Sequence, residues 1–308
     1  MRGAGGGRFS AAPNGRLRAL AGPAGVAGHY GDTVTTDPLA PLLELADVAS
    51  AVARTRERVD EALRHRALRR QGGVVAAEVS LRSAVASAAL EGYAHEREAV
   101  RQGVVTDPVV QGALRVAGAL PSLADRWPKA PRQVLARLHI LAARGTVPDD
   151  DLGRPSPERP PGGAPSPNVV DAGQVLAARL DGLAGLVAGG TRVSPLVLAA
   201  VVHGELLGLR PFAGPSGVVA RAAARLTLIS TGFDPRGLLA VELGHLEREP
   251  EYVGAANAFA TGTADGIRSW LRHYATAVAI GAERLEEIGT EVLAGPDRIN
   301  GWPVEPGN

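Results

Sequence analysis

The sequence predicts an all-α fold. Apolar residues recur at helical spacing over most of the chain, as in the run Leu39, Leu42, Leu43 and Ala46. Strands with alternating apolar and polar residues are almost absent, and no internal repeat is found. The 308 residues are enough for one large domain or two small ones.

The first 36 residues are rich in Gly, Ala and Pro and show no sustained period, so we expect a disordered tail. From Pro38 a helical pattern continues through a charged run to Arg70, and the Gly-rich break at 71–73 ends it. Residues 37–144 form a region of N-terminal helices. The further helices predicted there span 74–90, 97–102, 107–120 and 131–144.

Residues 145–170 break the helical rhythm because their many prolines forbid a continuous helix. A loop this long in a compact domain is usually functional or disordered, and it leaves room for a short β-hairpin. Helical patterns then resume, and residues 145–290 form the second region, followed by an irregular tail at 291–308. The helices predicted in this region span 171–188, 194–209, 217–231, 236–247, 250–260 and 264–288.

The composition excludes several classes of protein. A net charge of +1 gives no sign of DNA, RNA or anionic lipid as a partner. The absence of cysteine excludes disulfides, thiolate nucleophiles and Cys-based zinc sites. No stretch approaches the roughly 20 apolar residues of a membrane span, and the N-terminus lacks the apolar core of a secretion signal. We therefore expect a cytoplasmic protein.

One segment, from His203 to Arg221, carries the functional argument. Pro211 ends the first of two helices because it disfavours the α region for the residue before it. The turn 214–217 follows, and Gly217 opens the next helix, whose free N–H groups and positive dipole end suit a phosphate. Taken alone, this arrangement also fits an ordinary helix–helix connection.

The segment resembles the Fic motif, H-P-F-x-[DE]-G-N-G-R-x-x-R. Pro211, Phe212, Gly217 and Arg221 match at their own positions. His203 and Leu209 stand where the family has an upstream His and an aliphatic residue. The resemblance implies a Fic (Fido) fold and, in an intact member, transfer of AMP from ATP with Mg²⁺ to a protein hydroxyl.

The residues that would perform this chemistry are replaced. Arg210 stands at the position of the catalytic His, and arginine cannot act as a base near pH 7. Gly214 replaces the acidic Mg²⁺ ligand, Pro215 removes a backbone donor, and Ser216 replaces Asn. Val218 replaces a phosphate-binding arginine. Loss of the general base alone should cost roughly 10²–10⁴-fold in rate.

A second match lies upstream, where Ser87, Glu91 and Gly92 fit the Fic inhibitory motif [ST]-x-x-x-[ED]-[GN]. In the family this glutamate lies on a helix over the nucleotide site and pairs with the second arginine of the Fic motif. Both partners are retained here, as Glu91 and Arg221. The pair is either a structural clamp or a gate over a ligand pocket.

Other patterns favour ordinary structural roles. The acidic run Asp149–Asp151 and the set Glu242, His245 and Glu249 could bind metal, but solvated surfaces are the favoured interpretation, and no metal ligand is assigned. His203 on its apolar helix is interpreted as a core histidine. The arginines around His65 could contact phosphate or an acidic partner, although a solvated face is favoured. Ser216 lacks the strand that a serine hydrolase elbow requires.

The sequence therefore predicts a degenerate Fic-fold protein, an inactive pseudo-AMP-transferase that acts by binding or regulation. The alternative is an active nucleotidyl or phosphoryl-group transferase with altered chemistry. A retained nucleotide would lie at Gly214, Ser216, Gly217 and Arg221, with ATP and Mg²⁺ as the family's cofactors, weakened by Gly214 and Val218. The expected partner is another protein, and the resemblance also allows a homodimer.

Overall fold

The computed structural model describes residues 37–156 and 169–295. Within these ranges the chain forms α-helices joined by short loops, with 3-10 turns at Ala40–Glu44 and Asp149–Asp151. The helices are α1 Val48–Ala62, α2 Ala67–Arg70, α3 Gly72–Ala89, α4 Arg97–Arg101, α5 Pro108–Leu123, α6 Pro131–Ala143, α7 Val169–Gly189, α8 Pro195–Leu209, α9 Ser216–Ser230, α10 Val241–Glu247, α11 Glu249–Ala260 and α12 Ala264–Ala294. The all-α prediction is confirmed.

Side-chain caps define the start of several helices. The Asp107 carboxylate accepts hydrogen bonds from the Val109 and Val110 N–H groups at α5. Ser194 caps α8 through the Leu196 N–H, and Thr263 caps α12 through Gly266. Each cap satisfies backbone donors that have no partner within the helix, which fixes where these helices begin.

Helices α8 and α9 form the centre of the molecule. Every residue of α8 from Leu196 to Leu207 is buried, so this helix has no solvent-facing side over that length. Helices α11 and α12 pack against α8, while α3, α5 and α6 pack against α9. The helices on both sides of residue 144 share one hydrophobic core, and this arrangement holds the α8–α9 loop between them.

Glycines allow close contacts between helices. A Cβ added to Gly112 on α5 would lie 2.1 Å from the Ala142 carbonyl oxygen on α6. A Cβ on Gly204 would lie 2.7 Å from Trp270 Nε1, which donates to the Ala200 carbonyl. The absence of a side chain allows the backbones of α5 and α6 to approach at Gly112, and it makes room for the indole of Trp270 at Gly204.

Several sequence-based boundaries need correction. The helix expected to run to Arg70 is interrupted at 63–66, where α1 ends and the short α2 begins. The helix expected from 236 starts at Val241, because the Asp234 carboxylate binds the Leu238 and Leu239 N–H groups in a loop. Helix α12 continues to Ala294, so the first residues of the expected irregular tail are helical.

The described part of the proline-rich region contains no β-hairpin. It has one isolated bridge between Arg144 and Val147, followed by the 3-10 turn. Residues 157–168, the expected tail at 1–36 and the rest of the C-terminal tail lie outside the described ranges. Among the described helices, none combines the length and the apolar character needed to cross a membrane.

Candidate functional site

The loop Arg210–Pro215 joins the two central helices. Arg210 caps α8 in the left-handed conformation, with φ of 43°, and its N–H donates to the Leu206 carbonyl. This conformation costs a non-glycine residue roughly 1–2 kcal/mol, so the surrounding packing must hold it in place. Gly214 also has a positive φ, 72°, and a Cβ there would lie 2.9 Å from Val147.

The loop is fastened to α6 through His139. The imidazole stacks on Phe212 with ring centroids 4.6 Å apart. Its Nδ1 accepts a hydrogen bond from the Gly153 N–H at 2.9 Å, which leaves Nε2 to donate to the Ala213 carbonyl, also at 2.9 Å. Burial lowers the pKa of His139, which favours the neutral ring that this pattern requires.

Sequence reasoning missed His139. It lies on the apolar face of α6 beside Leu135, Leu138 and Ala142, and the sequence alone does not distinguish it from a core histidine. A second tie comes from the segment after α6, where the Ser156 N–H donates to the Pro211 carbonyl at 2.9 Å. The loop is therefore held by the chain segment 139–156.

The two predicted motifs meet at Arg221. Its Nε donates to Ser87 Oγ at 2.9 Å, and its Nη2 donates to the Ser87 carbonyl and to Glu91 Oε1, both at 2.8 Å. Its Nη1 donates to Tyr252 Oη at 3.3 Å. Burial opposes the charge of this guanidinium, but Tyr252 and Glu91 raise the pKa of Arg221 above its usual value. The cation is fully enclosed and paired.

The Glu91 carboxylate lies at the first turn of α9. An added Cβ on Gly217 would be 2.1 Å from Glu91 Oε1 and 3.0 Å from Arg221 Nη1. A carboxylate is stabilised at this end of a helix by the free N–H groups and the dipole. Glu91 follows the end of α3, where Gly92 turns the chain with φ of 91°. The position suited to a phosphate thus has a carboxylate beside it.

The remaining residues of the predicted site differ in how far they are buried. Ser216 is the first residue of α9, one residue earlier than the sequence predicted, and it is buried. Val218 is buried in the hydrophobic core. Gly214 is exposed and Arg210 is half-buried. The structure brings Ser87, Glu91, Gly217 and Arg221 together.

His203 belongs to a buried group that we call the histidine cluster: His203, His245 and His273 with Tyr252, Trp270 and Tyr274. His203 Nε2 is 3.0 Å from Tyr252 Oη, and His245 Nδ1 is 3.0 Å from His273 Nε2. Burial and neighbouring charge lower the pKa of His203 and His245 well below the usual value, and burial lowers that of His273 to about 4.

Burial likewise raises the pKa of Tyr252 to about 12. Its hydroxyl therefore remains protonated at neutral pH, between His203 and Arg221. His203 lies in the core, as the sequence predicted. It contacts the Tyr252 hydroxyl, which in turn accepts a hydrogen bond from Arg221.

The candidate metal ligands do not assemble into a site. Asp149–Asp151 are exposed on their 3-10 turn. The interpretation of Glu242 and His245 as a solvated face is wrong, because both are buried and the tertiary packing covers α10. Glu249 starts the next helix, so it does not share α10 with them. Within the described residues, no group of three His, Asp or Glu side chains could hold a metal ion.

Comparison with known proteins adds evidence on the fold. The sequence matches no protein-family model and no curated protein. A Fic family protein from Desulfovibrio desulfuricans G20 superposes with a TM-score of 0.56 and 23% identity, over 76% of this chain and 73% of that chain. Fic-1 from C. elegans gives a TM-score of 0.61 and 18% identity, over 83% of this chain and 76% of that chain. The chain therefore has the Fic fold.

Proposed function

We propose that this protein is a catalytically silent Fic-fold protein that acts through contacts with another protein rather than by group transfer. The observation that carries the proposal is the state of Arg221. Its guanidinium donates to Ser87, Glu91 and Tyr252, and its side chain is 1% exposed. An arginine committed in this way does not present donors to a polyphosphate.

The loop supports the same proposal. Arg210 stands where a general base would be needed, and a guanidinium does not take up a proton. Gly214 offers no side-chain oxygen, and Val218 puts an apolar, buried side chain where a phosphate cation would stand. The base, the metal ligand and one cation are therefore all missing.

The residues present do not fit ATP with Mg²⁺. The Glu91 carboxylate lies beside Gly217, where its charge would repel a phosphate at the start of α9. The buried cation beside Gly217, Arg221, is already paired with this carboxylate.

The proposal is tested first by nucleotide binding. Thermal-shift and calorimetric titrations with ATP, with and without Mg²⁺, would compare the wild type, Glu91→Gly and Glu91→Gln. Glu96→Gln is the matched control, because Glu96 is exposed and lies five residues further along the chain. We expect no saturable stabilisation in any of the four proteins. Stabilisation that grows in both Glu91 variants and not in the control would instead identify Glu91 as the gate of a working pocket.

The second test is transfer itself. The purified protein, Glu91→Gly and Arg210→Ala would be incubated with ATP and Mg²⁺, and covalent modification of the chain and of added proteins would be followed by mass spectrometry. We expect no modification above the level of heat-denatured protein. Modification that disappears in Arg210→Ala would refute the proposal in favour of a transferase with altered chemistry.

A further inference from the structure

A small internal cavity lies between α3, α5, α9 and α10, and its lining includes Ser87 and Val218 but no residue of the loop Arg210–Pro215. Its polar lining includes Ser83 from α3, Arg225 from α9 and Glu242 from α10. All three residues are more than nine-tenths buried. The rest of the lining is mostly small or apolar, including Ala113, Val116 and Ala222.

Three polar atoms of these residues have no hydrogen-bonding partner among the described residues: Ser83 Oγ, Arg225 Nε and Glu242 Oε2. The other groups of Arg225 are engaged, since Nη2 donates to the Gly237 carbonyl at 2.7 Å and Nη1 lies 3.7 Å from Glu242 Oε1. Leaving a buried polar group unsatisfied costs roughly 1–3 kcal/mol. Because the three residues that carry these atoms line one cavity, the arrangement points to a ligand that binds all three atoms.

The chemistry of the three atoms identifies the ligand. Arg225 Nε offers only a donor, Glu242 Oε2 only an acceptor when ionised, and Ser83 Oγ can be either. The ligand must consequently both accept and donate hydrogen bonds. The cavity has room for about one water molecule, so an organic ligand is too large, and a simple anion could not donate to the carboxylate.

We infer that this cavity binds one structural water molecule that bridges α3, α9 and α10. The water would accept from Arg225 Nε, donate to Glu242 Oε2 and exchange a hydrogen bond with Ser83 Oγ, which gives it the usual number of partners for a buried water. Ser83 lies one turn before Ser87 on α3, and Arg225 lies one turn after Arg221 on α9. The water is thus a second polar tie between the two helices that the Arg221 contacts join.

The decisive measurement is a crystal structure of the full chain at about 1.5 Å, for the wild type and Ser83→Val. We expect a single density peak within about 3.2 Å of all three polar atoms in the wild type and its loss in Ser83→Val, whose added methyl groups occupy the cavity. A wild-type cavity without density would overturn the inference. A peak with anomalous scattering from a halide would overturn it as well, because the ligand would then be an ion.

Solution measurements keep the test independent of crystals and of the valine variant. Nuclear Overhauser contacts between water and the amide groups of Ser83 and Ala84 should have the sign of a long-lived bound water in the wild type and weaken in Ser83→Ala. The control is Ser80→Ala, on the same helix but outside the cavity lining, in which these contacts should be unchanged. Equal contacts in all three proteins would contradict the site. None of these readouts depends on nucleotide binding or on transfer activity.

Discussion

Truncating Glu91 should destabilise the protein more than an ordinary glutamate on the surface. The perturbation is Glu91→Ala, which removes one acceptor from Arg221 Nη2 and leaves the other contacts of that guanidinium in place. Arginine cannot discharge itself by losing a proton. Because its side chain is 1% exposed, the Arg221 guanidinium also cannot be hydrated unless the surrounding packing changes. The variant therefore leaves a buried cation with less compensation.

The magnitude follows from the geometry. Breaking a fully buried ion pair by removing one partner costs about 3–5 kcal/mol. The Glu91 side chain is 17% exposed, and Arg221 retains Ser87 Oγ, the Ser87 carbonyl and Tyr252 Oη. These remaining acceptors reduce the expected loss to about 2 kcal/mol, the value of a hydrogen bond to a charged group. For a chain of this size such a loss lowers Tm by about 3 °C.

The assay is reversible urea unfolding at pH 7.5, supported by thermal denaturation. Glu91→Gln should lose about half as much free energy of unfolding as Glu91→Ala, because its amide oxygen can still accept a hydrogen bond from Arg221 while the negative charge is gone. Glu96→Gln should remain within about 0.5 kcal/mol of the wild type, as surface substitutions usually do. If Glu91→Ala also remained within this limit, Ser87 and Tyr252 would suffice to hold Arg221 and the reasoning would be refuted.

Three further predictions follow from the packing. Gly112→Ala should lower the free energy of unfolding by about 1–3 kcal/mol, because its Cβ would meet a backbone carbonyl. In Gly118→Ala, on the same helix, the new Cβ meets nothing within 4 Å, so the free energy of unfolding should rise by about 0.5–1 kcal/mol. Equal changes in the two variants, measured by urea unfolding, would contradict the close contact at Gly112. Gly217→Ala should displace the Glu91 carboxylate and destabilise the protein, whereas Gly185→Ala in open space should stabilise it; a stabilised Gly217→Ala would show that the carboxylate is readily moved. Finally, the histidine cluster should make stability fall with acid. The pKa values of the three histidines are lower in the folded protein than in the unfolded chain, so the unfolded chain binds more protons. The free energy of unfolding therefore decreases as the pH falls below about 6.5 toward 4. The urea midpoint of the wild type should fall over this pH range, and that of His273→Gln should fall less. An identical pH profile in the two proteins would contradict the assignment of the acid effect to the histidine cluster.

Much of the helical framework could be predicted from the sequence because its signals are local. Pro108 after Asp107, Pro195 after Ser194 and Thr263 before α12 mark helix starts through caps that involve neighbouring residues only. The errors on α10 have two causes, one local and one distant. Helix α10 begins later than predicted because the nearby Asp234 accepts hydrogen bonds from the Leu238 and Leu239 N–H groups in the preceding loop. Its polar face is buried because α3 and α12, which are distant in sequence, pack against it.

The candidate site could likewise be predicted only in part from the sequence. The residues at positions 210, 214 and 218 and the resemblance to the two motifs are properties of the sequence, and the proposal of a catalytically silent protein starts from them. The sequence could not decide what Arg221 binds, since Ser87 and Glu91 lie more than a hundred residues away and meet it only when α3 packs against α9. It also could not single out His139, whose role depends on the loop stacked against it.

The sequence by itself therefore determined the helical class and the residues that stand at the motif positions, because periodicity, capping and residue identity are local properties. Only the tertiary structure decided that the Glu91 carboxylate lies at the start of α9 and that Arg221 is enclosed. It also decided that three residues with unpartnered polar atoms, Ser83, Arg225 and Glu242, line one internal cavity. These features depend on how helices distant in sequence pack, and packing is set by the shape and burial of the whole core rather than by any one segment.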